Sequence, residues 1–132
     1  MKSDAEHELI EKAKEALQWA HAPYSNFLVG AALRCGDGRI FTGSNVENSS
    51  YGLSVCAERV AAFKAVSEGC DRIEEIAIYA DTRTTVTPCG ACRQVLYELN
   101  PDMKLVVASR EGQIARFSLK ELYPHPFIIE TK

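Results

Sequence analysis

Thr87-Pro88-Cys89-Gly90-Ala91-Cys92-Arg93-Gln94 decides how this chain folds, because it opens a helical run, residues 90–99, between two apolar stretches that read as buried strands. The first stretch, residues 73–80, contains Ile76, Ala77, Ile78 and Tyr79; the second covers residues 105–108. Strand, helix and strand in that order predict a right-handed crossover joining parallel neighbours. Pro88 suits the first position of a helix, which puts Cys89 and Cys92 in the first turn, three positions apart on adjoining faces. Two thiolates placed there can share one metal.

An earlier stretch, Val55-Cys56-Ala57-Glu58-Arg59, supplies what that pair lacks. Cys56 opens a second helical run, residues 56–68, with Gly69 as its stop, and offers a third soft ligand. Three protein ligands on zinc leave the fourth tetrahedral position to water, the pattern of a catalytic site. Glu58, two residues on, can reach around the helix end as a proton carrier. Three thiolates make the metal's surroundings negative, which weakens its pull on water. Two helix N-termini offset that charge, and Arg59 or Arg93 can donate to sulfur. A closed structural zinc knot would need a fourth ligand, and His7, His21, His125, Cys35 and Cys70 stand at no finger spacing. A redox Cys-x-x-Cys leaves the upstream Cys-Ala-Glu unexplained. Glu58 taken alone reads as a helix N-terminal charge, Asn45 and Glu47 as ordinary loop polarity, and Phe27 as core.

Outward from the two motifs the chain alternates regularly. Ser3 with Glu6 forms a capping-box pattern, and Leu9, Ile10, Ala13, Ala16, Leu17 and Ala20 recur at helical spacing up to Pro23. Residues 27–33 and 39–42 flank Gly36-Asp37-Gly38 and predict a β-hairpin. Residues 43–54 are polar, and their position just before Cys56 suits either a solvated connection or a substrate loop. Residues 114–117 follow a turn at Glu111-Gly112 as a short strand, and Ser118 with Glu121 marks a last short helix broken by Pro124 and Pro126. The expectation is one α/β domain over residues 1–132, three layers α/β/α around a mixed sheet of about five strands. Both cysteine motifs then lie at one sheet edge, where open α/β sheets bind ligands.

Composition narrows the partner. The chain has 132 residues and a net charge of -3, with no basic run, which argues for a small ligand over a nucleic acid. The first residues lack the apolar core of a secretory signal and no apolar run approaches membrane-spanning length, so a cytosolic location is expected. In a reducing compartment the five cysteines are expected to serve metal binding or chemistry, with Cys35 and Cys70 as small packed or partly exposed thiols.

Cys56-Ala57-Glu58 followed by Pro88-Cys89-Gly90-Ala91-Cys92 resembles the signature of the zinc deaminases, in which zinc-activated hydroxide attacks cytosine C4 and a non-ligand Glu carries protons. The likeness extends from Ala22-Pro23-Tyr24-Ser25-Asn26-Phe27-Leu28-Val29-Gly30-Ala31-Ala32 through Asn45-Val46-Glu47-Asn48 to Pro124-His125-Pro126-Phe127. The whole chain is similar to the short, all-cysteine, homotetrameric cytidine deaminases. That resemblance implies one zinc per chain on Cys56, Cys89 and Cys92, with Glu58 as the catalytic acid and base. It further implies that Asn45 and Glu47 bind the ribose 3′-hydroxyl, Phe27 packs on the pyrimidine, the Ala57 N–H faces the base carbonyl, and the Thr87 carbonyl faces the leaving ammonia. Tyr51 and Phe127 are implied to serve a neighbouring subunit's site. The implied reaction is hydrolytic deamination of cytidine and 2′-deoxycytidine, with a same-fold deaminase of another aminated base or an antibiotic nucleoside as the alternative. Two further readings stay open: a zinc-stabilised interaction module without turnover, and nucleic-acid editing, which the acidic balance disfavours.

Overall fold

The computed structural model describes residues 2–130, with side chains from residue 4 onward. Its strands are β1 (Val29–Cys35), β2 (Ile40–Ser44), β3 (Ile73–Ala80), β4 (Lys104–Ser109) and β5 (Ile114–Ser118), and its α-helices α1 (Lys2–Ala16), α2 (Ala57–Ser67), α3 (Gly90–Leu99) and α4 (Leu119–Leu122). The strands form one sheet in the order β2-β1-β3-β4-β5. Only β3 and β4 are parallel, and α3 crosses between them, so the sheet is mixed as the sequence predicts.

Period-two alternation assigns the two faces. Ala32, Ala77 and Val106 point to α1 and meet its Leu9 and Ala13. Ala31, Leu33, Ile76, Ile78, Leu105 and Val107 point the other way, toward Ala57, Ala61 and Ala65 of α2 and Leu96 of α3. Helices on both faces make three layers. Small residues let the helices sit close to the sheet. A Cβ on Gly30 would lie 2.0 Å from the Ala13 carbonyl oxygen of α1, and one on Gly43 would lie 2.6 Å from the Ala61 nitrogen and 2.8 Å from the Ala57 oxygen of α2. The Gly43 contact fixes how deep the first turns of α2 sit, and Cys56 stands at their head.

Several local expectations change. Helix α1 ends at Ala16, followed by a 3-10 turn over Leu17–Trp19, and Ala20 is already extended. The cause is competition from the polar segment. The His21 N–H donates to the Asn45 carbonyl at 2.8 Å and the Glu47 N–H donates to the His21 carbonyl at 2.8 Å, so residues 20–22 are drawn out of the helix. The first part of that segment is structured, with Gly43 and Ser44 in β2 and Val46 bridging both His21 and Val55, while residues 48–53 are exposed. The Ser3 side chain of the first capping box lies outside the described residues, while Glu6 accepts two hydrogen bonds from Arg116 of β5, at 2.8 and 2.6 Å. The second capping box, Ser118 with Glu121, is present as expected. The largest correction concerns Cys35 and Cys70, which are not separate thiols but a disulfide with Cα atoms 5.9 Å apart. A register shift between Arg34 and Cys35, at the end of β1, places Cys35 opposite the chain that enters β3. There the Gly36 N–H also donates to the Arg72 carbonyl at 2.9 Å, bringing the two cysteines together.

Candidate active site

Two of the three cysteines of the predicted metal site occupy helix N-caps. Cys56 caps α2 and Cys89 caps α3, each with extended backbone and no side-chain hydrogen bond to the helix. Ser, Thr, Asp or Asn at this position would turn its oxygen back onto the first-turn amides. Here the sulfurs point to one another instead. Pro88 therefore stands one residue before the N-cap rather than inside the helix as the sequence reading placed it, and its carbonyl accepts from Arg93 Nε at 2.8 Å.

The Sγ atoms of Cys56, Cys89 and Cys92 all lie within 4.8 Å of one another. Cys89 is 3.6 Å from each of the other two. Three sulfurs bound to one tetrahedral zinc at 2.3 Å stand about 3.8 Å apart, so the spacing fits. Electrostatics agree. Arg59 Nη2 donates to Cys56 Sγ at 3.6 Å, while Arg59 Nε is buried without a hydrogen-bond partner. Cys56 is held down to about 5, first by its hydrogen bond with Cys92 and then by that with Arg59. Cys92 is pushed up by the same bond to Cys56 and by burial. Both shifts come from the close approach of the two thiols, which a bound cation would hold as thiolates.

Glu58 is 5% exposed beside this cluster. Burial, with the nearby Cys56 charge as the next contribution in that direction, raises its carboxyl from the ordinary 4.5 to about 7. A carboxyl poised near neutrality can both accept and return a proton. It opens onto a cleft lined by Phe27, Asn45, Glu47, Ala57, Val86 and Thr87, among others. Ala57 is the first residue of α2, where helix N–H groups have no partner within the helix.

A family model for the cytidine and deoxycytidylate deaminase zinc-binding region matches residues 3–109. The chain belongs to that family. It is 50% identical over 123 residues to a cytidine deaminase of Halalkalibacterium halodurans, covering 92% of this chain and 93% of the relative. A cytidine deaminase of Sporosarcina psychrophila is 46% identical over 120 residues, 90% of this chain and 88% of its own. The crystal structure of cytidine deaminase from Burkholderia pseudomallei superposes with a TM-score of 0.88 at 48% identity, covering 92% of this chain and 98% of that one. The three-cysteine cluster lies within the matched zinc-binding region and could hold a metal ion.

Within this deaminase cleft the remaining predicted residues take distinct positions. Asn45 is buried and spends its amide largely on the β1 lead-in, accepting from the Val29 N–H at 3.0 Å and donating to the Phe27 carbonyl at 2.7 Å. Glu47 accepts from the N–H groups of Tyr24 and Ser25, at 3.0 and 3.1 Å, and from the Ser25 hydroxyl, whose bond is the main reason its carboxyl lies below the usual range. Phe27 is 41% exposed, a cleft wall rather than a core ring. Tyr51 packs edge-on against Tyr24, with centroids 6.4 Å apart, and is otherwise exposed, as is Phe127. Arg93 is not among the sulfur's donors. Its guanidinium binds the Pro88 carbonyl, Thr87 Oγ1 at 3.0 Å and the Leu122 carbonyl at 3.1 Å, so it anchors the loop that carries Thr87. Sequence reasoning missed this role, and that of Gln94 beside it, because both depend on α4 and the tail folding back over α3.

Proposed function

We propose that this chain hydrolytically deaminates cytidine and 2′-deoxycytidine to uridine and 2′-deoxyuridine, releasing ammonia. One observation carries the reading above the rest: a buried carboxyl, Glu58, lines the cleft together with Cys56, whose sulfur converges with those of Cys89 and Cys92. Cys56, Cys89 and Cys92 would hold the zinc, which would supply the Lewis acidity for a water to ionise near neutral pH. Glu58 takes the proton from that water as its oxygen attacks the ring carbon. It returns that proton to the ring nitrogen, then takes a second from the new hydroxyl on the ring carbon and passes it to the amino group, which departs as ammonia as the C–N bond breaks and the ring C=O bond forms. Water consumed and ammonia released balance the conversion. Phe27 stacks on the base, the Ala57 N–H holds its carbonyl, and the Thr87 carbonyl receives the leaving group. Asn45 and Glu47 hold the ribose, with Arg59 moderating the sulfur charge.

Among the described residues, the cleft lining contains no Lys or Arg, and neither does the adjoining hollow formed by Tyr24, Ser25, Glu47, Asn48, Tyr51 and Ser54. With no cation to pair a phosphate and an ionised Glu47 to repel one, free nucleosides are favoured over nucleotides and over nucleic acid. Residues 1–132 act as a single cytosolic deaminase domain that assembles as a homotetramer, with Tyr51 and Phe127 completing neighbouring sites. The apolar groove of Phe63, Val66, Val95 and Leu99 between α2 and α3 supports assembly. The described residues include no helix long and apolar enough to cross a membrane.

The test is ammonia release from a panel of cytidine, 2′-deoxycytidine, their 5′-monophosphates, cytosine and other aminated nucleosides. Turnover of the two free nucleosides is expected. Activity confined to a different amine would overturn the substrate, and activity confined to the monophosphates would overturn the argument from the lining.

A further inference from the structure

Gln94 lies on α3 two residues beyond Cys92, and all four hydrogen-bonding positions of its amide are in use. Oε1 accepts from the Tyr123 hydroxyl and from the Phe127 N–H at 3.2 Å. Nε2 donates to the Phe127 carbonyl at 2.8 Å and to Glu98 Oε2 at 3.0 Å. The backbone N–H of Phe127 fixes which end of the amide is oxygen, so the orientation does not depend on the tyrosine hydroxyl's proton. One side chain thus meets both backbone groups of Phe127, as a neighbouring strand would.

The tail needs such an anchor. Residues 123–130 have no helix or strand, and Pro124 and Pro126 cannot donate. Tyr123 is itself fixed, its ring edge-on to Tyr97 of α3 with centroids 6.0 Å apart. The Phe127 ring is 68% exposed and does not line its own chain's cleft, so the clamp presents an aromatic outward.

We infer that Gln94 is a positioning residue that sets the Phe127 ring for a neighbouring subunit's cleft, tying the tail to the helix that bears two of the zinc ligands. This rests on the reading that Phe127 serves that cleft, and the experiment separates the two. Gln94→Met keeps side-chain length and helix propensity but removes every polar contact. In the zinc-loaded enzyme it is expected to raise KM for cytidine about tenfold, with kcat and zinc content within about twofold of the parent. Hydrogen exchange of the 123–130 segment is expected to quicken. Gln94→Glu, which keeps the acceptors and loses both donors, falls between. Phe127→Ala raises KM similarly, and the double variant is no worse than Phe127→Ala alone. If Phe127→Ala moves KM while Gln94→Met moves neither KM nor exchange, the clamp is refuted and the tail's role stands. If Phe127→Ala leaves KM unchanged, the tail's role fails and the clamp loses its purpose. A fall in zinc content with Gln94→Met overturns the inference in favour of a structural role in the metal helix.

Discussion

The two ends of helix α2 hold cysteines of opposite character. At its N-terminus Cys56 faces Cys89 and Cys92 with its thiol held near 5, beside a buried carboxyl and an arginine. Past its C-terminus Cys70 is joined to Cys35, and that end is further pinned by Arg39 Nη1 donating to the Glu68 carbonyl at 2.8 Å. At one end, a neighbouring thiol and an arginine hold Cys56 down toward a metal-binding thiolate; at the other, the ends of β1 and α2 close into a covalent staple. Position along the same helix, and not residue type, decides whether sulfur does chemistry or holds the fold.

Cys92→Ala should break the reactive end most severely. Its sulfur is fully buried, leaving two ligands and a void, so zinc and cytidine turnover should both vanish while the disulfide persists. Elemental analysis beside the activity assay checks this; a variant that keeps one zinc per chain and turns over would contradict it.

Reduction of the staple should show the reverse pattern. The two cysteines are 35 positions apart, and closing a loop of that length stabilises by about 3–4 kcal/mol through the unfolded chain. A reductant too weak to strip zinc, or the Cys35→Ser/Cys70→Ser pair, should lower Tm and leave kcat in place. Lost activity at temperatures where the fold survives would show that the two ends communicate.

The link between the ends can be probed at Gly43. A methyl there would press on the Ala61 nitrogen and Ala57 oxygen, so Gly43→Ala should cost about 1–3 kcal/mol and weaken zinc binding by displacing the first turns of α2. Thermal melts with and without chelator separate the two effects. Equal Tm and zinc affinity in variant and parent would contradict the close packing.

The last expected effect is a slope with pH, comparable in size to that of Gly43→Ala. In metal-free protein Glu58 has its folded pKa raised from 4.5 to about 7, mainly by burial. Its contribution to stability is therefore fully present below about 4.5, falls as pH rises, and is lost once pH passes about 7. Glu58→Gln removes that contribution. Denaturant melts of the chelated proteins at pH 5 and 7 should show the parent losing stability relative to the variant, and parallel profiles would contradict the burial argument.

What could be read from sequence was what is local. Cys89-Gly90-Ala91-Cys92 and Cys56-Ala57-Glu58 announce their chemistry within one helical turn each, and the apolar run of residues 73–80 coincides with β3. What was hidden depended on register and return contacts. The Cys35–Cys70 pair needs the shift after Arg34, Asn45 needs β1 folded against it, and Arg93 needs the Leu122 carbonyl brought back over α3. The early end of α1 was likewise set by His21 pairing with residues far along the chain, against a helical pattern that runs on to Ala20.

The central claim is that a thiolate-held zinc and the Glu58 carboxyl together perform the deamination, and kcat for cytidine in zinc-replete Glu58→Gln tests it most directly. The account predicts a loss of about 10²–10⁴-fold or more with one zinc retained per chain. A variant that keeps its zinc and turns over cytidine within a few-fold of the parent would contradict it.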